Sequence, residues 1–305
     1  MPKLVNLGSL CIDHVYRVPN IADGGETVAS LGHDTYPGGK GLNQSLAAAR
    51  AGAQVIHVGC VGADGEWLKA ELTDSGVDVG GIRVVPGNSG HAVIQVDATG
   101  QNAIVIVGAA NRAVQDSDLE IAFDRLEAGD WLLIQNEIND IERVLAEAAR
   151  RDLLLAFNVA PVDGREQEYD LAAVKLLIVN EIEAAALAGA GADQGNPALA
   201  LERLCGALPG TDIVVTRGSD GLLYAGPSGV GSLAAFPVDA VDETGAGDAF
   251  IGYLMAGLLQ RLPLPEALEL GAAAGALAAT GAGAASSIPE AQAVAELVGE
   301  GRALL

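Results

Sequence analysis

Short apolar segments alternate with amphipathic helical segments along most of this chain, and no other feature of the sequence restricts its fold so strongly. "KLVNLGS" reads as a first strand. "GLNQSLAAARAG" reads as a helix closed by a glycine at its C-terminal boundary. "QVIHVGCVG" is the next strand and "DGEWLKAELTDSG" the next helix. The rhythm returns in "DWLLIQ", "IERVLAEAARR", "LLLAFNV", "LLIVN", "EIEAAALAG", "LERLCGAL" and "DIVVTRG". Such a pattern builds βαβ units, so the expected fold is a Rossmann-like, doubly wound α/β domain. Its sheet is mostly parallel, with helices on both faces. Two segments break the rhythm. Residues 12–37 hold short β-like pieces with Pro and Gly. Residues 90–107, "GHAVIQVDATGQNAIVIV", form a hairpin pattern turning at "DATGQN". These two segments are expected to pair into a small separate sheet. No Pro- or Ser-rich linker divides the chain, so residues 1–305 are expected to form a single domain.

Charge and cysteines narrow the functional classes. The formal charge is −23 and no basic cluster occurs, which disfavours a nucleic-acid partner. Half of the residues are hydrophobic but only 4% are aromatic, so Ala, Val and Leu must fill a large core. Cys11, Cys60 and Cys205 make no CxxC pair, and the four histidines show no ligand spacing with them. Free thiols in a reducing compartment are the expectation. The first residues lack an export signal, which points to the cytoplasm. "GAAAG", residues 271–275, has the small-xxx-small spacing of membrane helix pairs. Its Ala and Gly are too weakly apolar for a span, so tight packing in a soluble core is expected and no membrane partner.

Ligands of open α/β sheets bind beyond the carboxyl ends of the strands. No GxxxxGK[ST] and no GxGxxG after the first strand is present. "DETGAGDAF", residues 242–250, stands instead before the apolar helical stretch "IGYLMAGLL". Gly245, Ala246 and Gly247 can aim backbone N–H groups at one point, at the positive end of a helix dipole. A phosphoryl group in transfer would be stabilised there. Asp248 would repel phosphate but can take the proton of an acceptor hydroxyl. Taken alone, a flexible turn with an N-cap explains the stretch equally well. "YPGGKGLNQSLAAARAG", residues 36–52, is a second glycine cluster before a helix. Gly38, Gly39 and Gly41 permit close approach to a ligand. Asn43 and Asp13 offer the donor and acceptors that a polyol needs.

These two stretches, in this order and at this separation, resemble the paired signatures of the ribokinase-like (PfkB) carbohydrate kinases. The likeness runs nearly end to end through "NLGSLCIDH", "GGET", "VNEIEA", "VTRGSDG" and "GAGAASSIP", and lies within the ribokinase branch. The resemblance implies a small β-sheet lid and ATP-dependent phosphorylation of a sugar's primary hydroxyl, with D-ribose as the expected acceptor. It implies that Asp248 is the general base and that Gly245, Ala246 and Gly247 form the anion hole. Cys11, Asp13, Gly39, Lys40, Gly41, Asn43 and Glu137 match sugar-binding positions. Asn180 and Glu183 match the N-x-x-E motif that organises Mg²⁺ and phosphate through water; a helix cap is the plain alternative. Thr216, Gly218 and Gly221 match the nucleotide loop, with a hairpin turn as alternative. Ala272 stands near the adenine, where some relatives place a histidine. Asp242, Thr244, Ala278, Gly281, Gly283 and Ser287 match a potassium site built mostly of carbonyls. The edge of the lid could pair with a second copy as a homodimer.

One departure bears on the substrate. Ribokinases usually carry Asn where this chain has Cys11, and a thiol is a poor partner for a hydroxyl. Other kinases of the family, acting on fructose, 2-keto-3-deoxygluconate or a nucleoside, are therefore alternatives. A non-catalytic sugar or nucleotide sensor and an NAD(P) oxidoreductase are more distant readings. The intact "GAGD" opposes the first and the absent fingerprint opposes the second.

Overall fold

The computed structural model describes residues 2–189 and 195–303. Its strands are β1 (Leu4–Leu7), β2 (Cys11–Arg17), β3 (Gly32–Gly38), β4 (Val55–Val61), β5 (Asp78–Val84), β6 (Gly90–Val96) and β7 (Asn102–Val107). They continue with β8 (Trp131–Gln135), β9 (Leu154–Asn158), β10 (Val174–Asn180), β11 (Asp212–Thr216), β12 (Leu222–Gly226) and β13 (Gly229–Leu233). The helices are α1 (Lys40–Arg50), α2 (Leu68–Asp74), α3 (Asp116–Asp124), α4 (Ile141–Arg151) and α5 (Glu181–Leu187). After them come α6 (Pro197–Ala207), α7 (Ala246–Leu259), α8 (Leu264–Ala278), α9 (Ala284–Ser287) and α10 (Ala291–Ala303).

Nine strands form the main sheet in the order β13-β12-β11-β10-β9-β8-β1-β4-β5. From β11 to β5 every pairing is parallel; β12 and β13 add an antiparallel edge. The alternating side chains of each buried strand enter opposite layers. Leu4 and Leu133 pack with α1, α7, α8 and α10, whereas Val5, Leu7, Leu132 and Ile134 pack with α3 to α6. Helix cover on both faces explains why these strands read as continuous apolar runs.

The two segments that break the rhythm form a second sheet of four strands, in the order β3-β2-β6-β7. Here β2 pairs antiparallel with β3 and parallel with β6, while β6 and β7 are the expected hairpin. Its outer strand leaves Ile104, Val105, Ile106 and Val107 exposed.

Helix α7 is apolar on all sides because it lies between α1 and α8. Small residues let these helices approach. A Cβ on Gly252 would sit 2.3 Å from the Ala47 Cβ of α1, and one on Gly271 would sit 2.8 Å from the Phe250 carbonyl of α7. The "GAAAG" pattern is thus a close helix contact within the core. No described helix is long and apolar enough to cross a membrane.

Candidate active site

Parallel strands β9, β10 and β11 end at Asn158, Asn180 and Thr216, and the N-termini of α1 and α7 converge on the same edge. The cleft between them is lined by Lys40, Asn180, Glu183, Gly245, Gly247 and Asp248, among others. Residues from five distant stretches therefore meet where the topology of an open α/β sheet places a ligand.

Asp248 lies in the first turn of α7 and is only 7% exposed. Neither of its oxygens meets a cationic donor at hydrogen-bond distance. Asn43 Nδ2 donates to Oδ2 at 2.9 Å, and Gln44 Nε2 donates to Oδ1 at 2.9 Å. Sequence reasoning selected Asn43 and passed over Gln44. The signal was present in "GLNQS", since two adjacent amides at a helix start can both reach a neighbour only if that neighbour is very close.

Gly245 caps α7 in the left-handed region, with φ of 80°. The Ala246 N–H turns to the Glu243 carbonyl at 3.1 Å. Gly245 and Gly247 line the cleft and Ala246 does not. The Ala246 amide is thus taken up within the turn, while Gly245 and Gly247 stand at the cleft wall.

Glu137 anchors the start of α1. Its Oε2 accepts from the Ser9 hydroxyl and, at 3.0 Å, from the Lys40 N–H, while the Gly41 N–H donates to Ser9 Oγ at 3.1 Å. A carboxylate at this helix terminus satisfies orphan amides and complements the dipole. Burial alone would lower Lys40, yet the charges of Asp248, Glu137 and Glu183 outweigh it and hold the ammonium above its usual value. Asp13 on β2 is pushed up to about 6 by burial, with Glu137 and Asp248 adding to the effect. Four carboxylates and one ammonium thus share one partly desolvated space. Burial raises the neighbouring Cys11 thiol well above its ordinary range, and Asn111 Nδ2 lies 3.3 Å from its sulfur. Burial thus disfavours the thiolate form.

Asn180 and Glu183 make a reciprocal capping box at the start of α5: the Glu183 N–H donates to Asn180 Oδ1, and Asn180 N–H to Glu183 Oε2, both at 2.9 Å. Both residues also line the cleft, so the cap and the cleft wall are one device. Gly218 and Gly221 sit in the turn joining β11 to β12, and only Thr216 of that group lines the cleft. Ala272 lies midway along α8, away from the lining. Asp242 Oδ1 accepts from the Thr244 N–H at 3.0 Å and from its hydroxyl at 2.6 Å, and Oδ2 accepts from the Gly283 N–H at 2.9 Å. Gly281 lies against Ser287 and close to the Ala278 carbonyl. The two groups adjoin, since the Asp242 N–H donates to the Ala279 carbonyl at 3.1 Å.

Comparisons with known proteins place this geometry. The ribokinase of Haemophilus influenzae is 31% identical over 300 residues, covering 97% of this chain and 98% of that protein. The ribokinase of Schizosaccharomyces pombe is 33% identical over 95% of each chain. Among solved structures, Cryptococcus neoformans ribokinase with ADP superposes with a TM-score of 0.83 at 32% identity, covering 97% of this chain and 99% of that one. Arabidopsis thaliana ribokinase with ribose and ATP gives 0.83 at 29%, covering 97% and 98%. The description "pfkB family carbohydrate kinase" matches residues 1–291. With its two glycine-bounded helix starts converging on a buried aspartate, the chain belongs to the pfkB family of carbohydrate kinases, phosphotransferases with an alcohol group as acceptor.

Proposed function

We propose that this kinase transfers the γ-phosphate of ATP to the primary hydroxyl of D-ribose, with Asp248 as general base. The observation that carries the reading is the Asp248 carboxylate, buried at a helix N-terminus and held by two neutral amides beside Gly245 and Gly247. Asp248 accepts the hydroxyl proton as the sugar oxygen attacks the γ-phosphorus and the bond to ADP breaks. The Gly245 and Gly247 amides receive the developing negative charge. Asp13 and Asn43 offer acceptors to the other hydroxyls. After Asn43 donates to Asp248, its buried Oδ1 is left without a partner. The small sheet carrying Asp13 closes over the sugar as a lid and excludes water. Its exposed outer strand suits pairing with a second copy of the chain.

The residues present fit the two cations that the family implies. Asn180 and Glu183 are tied to each other at 2.8 Å and both line the cleft, a polar wall that suits a hydrated Mg²⁺. They would hold it through its waters, and it would supply charge neutralisation to the phosphates. The Asp242 carboxylate is already hydrogen-bonded, so carbonyls of the 278–283 turn would complete a weakly charged oxygen site, suited to potassium. The three free cysteines accord with a reducing cytoplasm.

The test is a coupled ADP-release assay against D-ribose, 2-deoxy-D-ribose, fructose, 2-keto-3-deoxygluconate and nucleosides, run in potassium and in sodium. D-Ribose should give the highest kcat/KM, and potassium should raise it. Preference for another acceptor would replace the sugar but keep the chemistry. Tight sugar binding with no ADP release from any acceptor would end the kinase reading.

A further inference from the structure

A chain of buried amides extends from Asp248 into the main sheet, and its hydrogen-bond polarity is fixed at both ends by backbone carbonyls. Asn6 of β1 donates Nδ2 to the Gly41 carbonyl at 2.8 Å. A carbonyl can only accept, so Asn6 must turn Oδ1 the other way. Gln135, at the end of β8, then has to donate Nε2 to that oxygen, at 3.0 Å. The second hydrogen of the same nitrogen goes to Gln44 Oε1 at 2.8 Å. Gln44 is left with only Nε2 to face Asp248. A second anchor demands the same orientation. Asn158 donates Nδ2 to the Ile178 carbonyl at 3.1 Å, which turns its Oδ1 towards Gln44 Nε2 at 3.2 Å. Asn6, Gln44 and Gln135 are all fully buried. Asn43 has no such anchor: its Nδ2 meets Asp248 while its Oδ1 has no partner.

We propose that Gln44 is a positioning residue for the Asp248 carboxylate and that Gln135 and Asn6, which touch no reacting group, set the direction of its amide. This rests on the reading of Asp248 as the base. A flipped Gln44 would put a carbonyl against the carboxylate and leave Oδ1 without a donor. Locked donation holds the plane of the carboxylate, so that one oxygen is presented to the hydroxyl. Asn43 differs in keeping one buried acceptor, Oδ1, without a partner beside the carboxylate. The charged groups around Asp248 are Asp13 from β2, Lys40 from α1, Glu137 after β8 and Glu183 from α5; Gln44 supplies no charge of its own.

The experiment uses Gln44→Met and Gln135→Met in the full chain, with ATP and the sugar identified by the acceptor panel. Titration calorimetry gives sugar affinity, and kcat and KM are measured for the parent and both variants at one pH. Gln44→Met removes one hydrogen bond from the Asp248 carboxylate while nearly keeping the side-chain volume. Its kcat should fall about tenfold or more, with KM for sugar and ATP within about threefold of the parent, as for a group felt mainly in the transition state. Gln135→Met should lower kcat by less, again with KM near that of the parent. A rise in KM or a loss of sugar affinity in step with the fall in kcat would make the network merely structural and overturn the proposal, as would wild-type kinetics in Gln44→Met. If Gln44→Met lacks a cooperative unfolding transition, Gln135→Met is judged by the same two criteria. Full turnover by Asp248→Asn would instead sink the base assignment, whatever these variants do.

Discussion

Asn43 Nδ2 and Asp248 Oδ2 meet at 2.9 Å across 205 residues of chain. Their contact joins the start of α1 to the start of α7, and so couples the proposed sugar-binding turn to the proposed base. The first prediction follows. Asp248→Asn keeps the volume but removes the proton acceptor, so kcat should fall about 10²–10⁴-fold. Sugar affinity measured by calorimetry should change little, because Asp13 and Asn43 remain.

Helix approach should control the same contact from a distance. Gly252→Ala places a methyl 2.3 Å from the Ala47 Cβ and 2.6 Å from the Ala48 nitrogen, against backbone that cannot turn aside. Separation of α1 from α7 should cost about 1–3 kcal/mol of stability, more than the gain in helix propensity returns. Urea unfolding should show the lower midpoint, and kcat should drop as Asn43 and Gln44 draw away from Asp248.

Two buried groups give opposing pH dependences. Asp13 is raised to about 6 in the fold, against roughly 4 in the unfolded chain, so its contribution is present at low pH and is lost as pH rises through about 6. Burial lowers His57 to about 4, so its contribution is present near neutrality and is lost as pH falls through that value. Asp13→Asn removes the first term only. Its Tm at pH 7.5 should therefore rise, and its stability should fall more steeply than the parent's between pH 6 and 4. KM for the sugar should increase about tenfold or more with the lost carboxylate.

Cys11 provides a test of sugar choice. The thiol is 4% exposed, and Asn111 Nδ2 already lies beside it. Cys11→Asn would exchange a poor partner for a donor and an acceptor. KM for D-ribose should fall about tenfold if the new amide reaches a hydroxyl, since one such bond contributes on the order of 1–3 kcal/mol. Unchanged ribose kinetics would show that position 11 does not limit recognition.

A structural ion pair supplies a control remote from the cleft. Asp118 is fully buried, receives Arg83 at 2.6 Å and accepts from the Gln115 N–H at 2.8 Å, at the start of α3. Asp118→Ala strands the guanidinium and the helix cap together, which should lower stability by about 3–5 kcal/mol. The variant's thermal transition should fall while sugar affinity at low temperature is kept.

Periodicity and local chemistry determined much of this protein before any contact was known. Runs such as "DWLLIQ" and "LLIVN" had to be buried strands, because no polar face was available to water. "NEIE" carried its own helix cap, and the two glycine clusters marked the ends of helices where backbone must come close to a ligand. The antiparallel edge strands β12 and β13 were less visible, since their pieces are short and half-exposed. Only the tertiary structure decided which amides face Asp248. Gln44 and Gln135 are 91 residues apart, and Gln135 and Asn6 are 129 apart. Their donor and acceptor directions depend on which backbone carbonyls the sheet and α1 place beside them. It likewise decided that Ala246 closes a turn while Gly245 and Gly247 open on the cleft. Side-chain types are local properties of a sequence, whereas the direction of a buried hydrogen bond is set by whichever distant group the packing makes its neighbour.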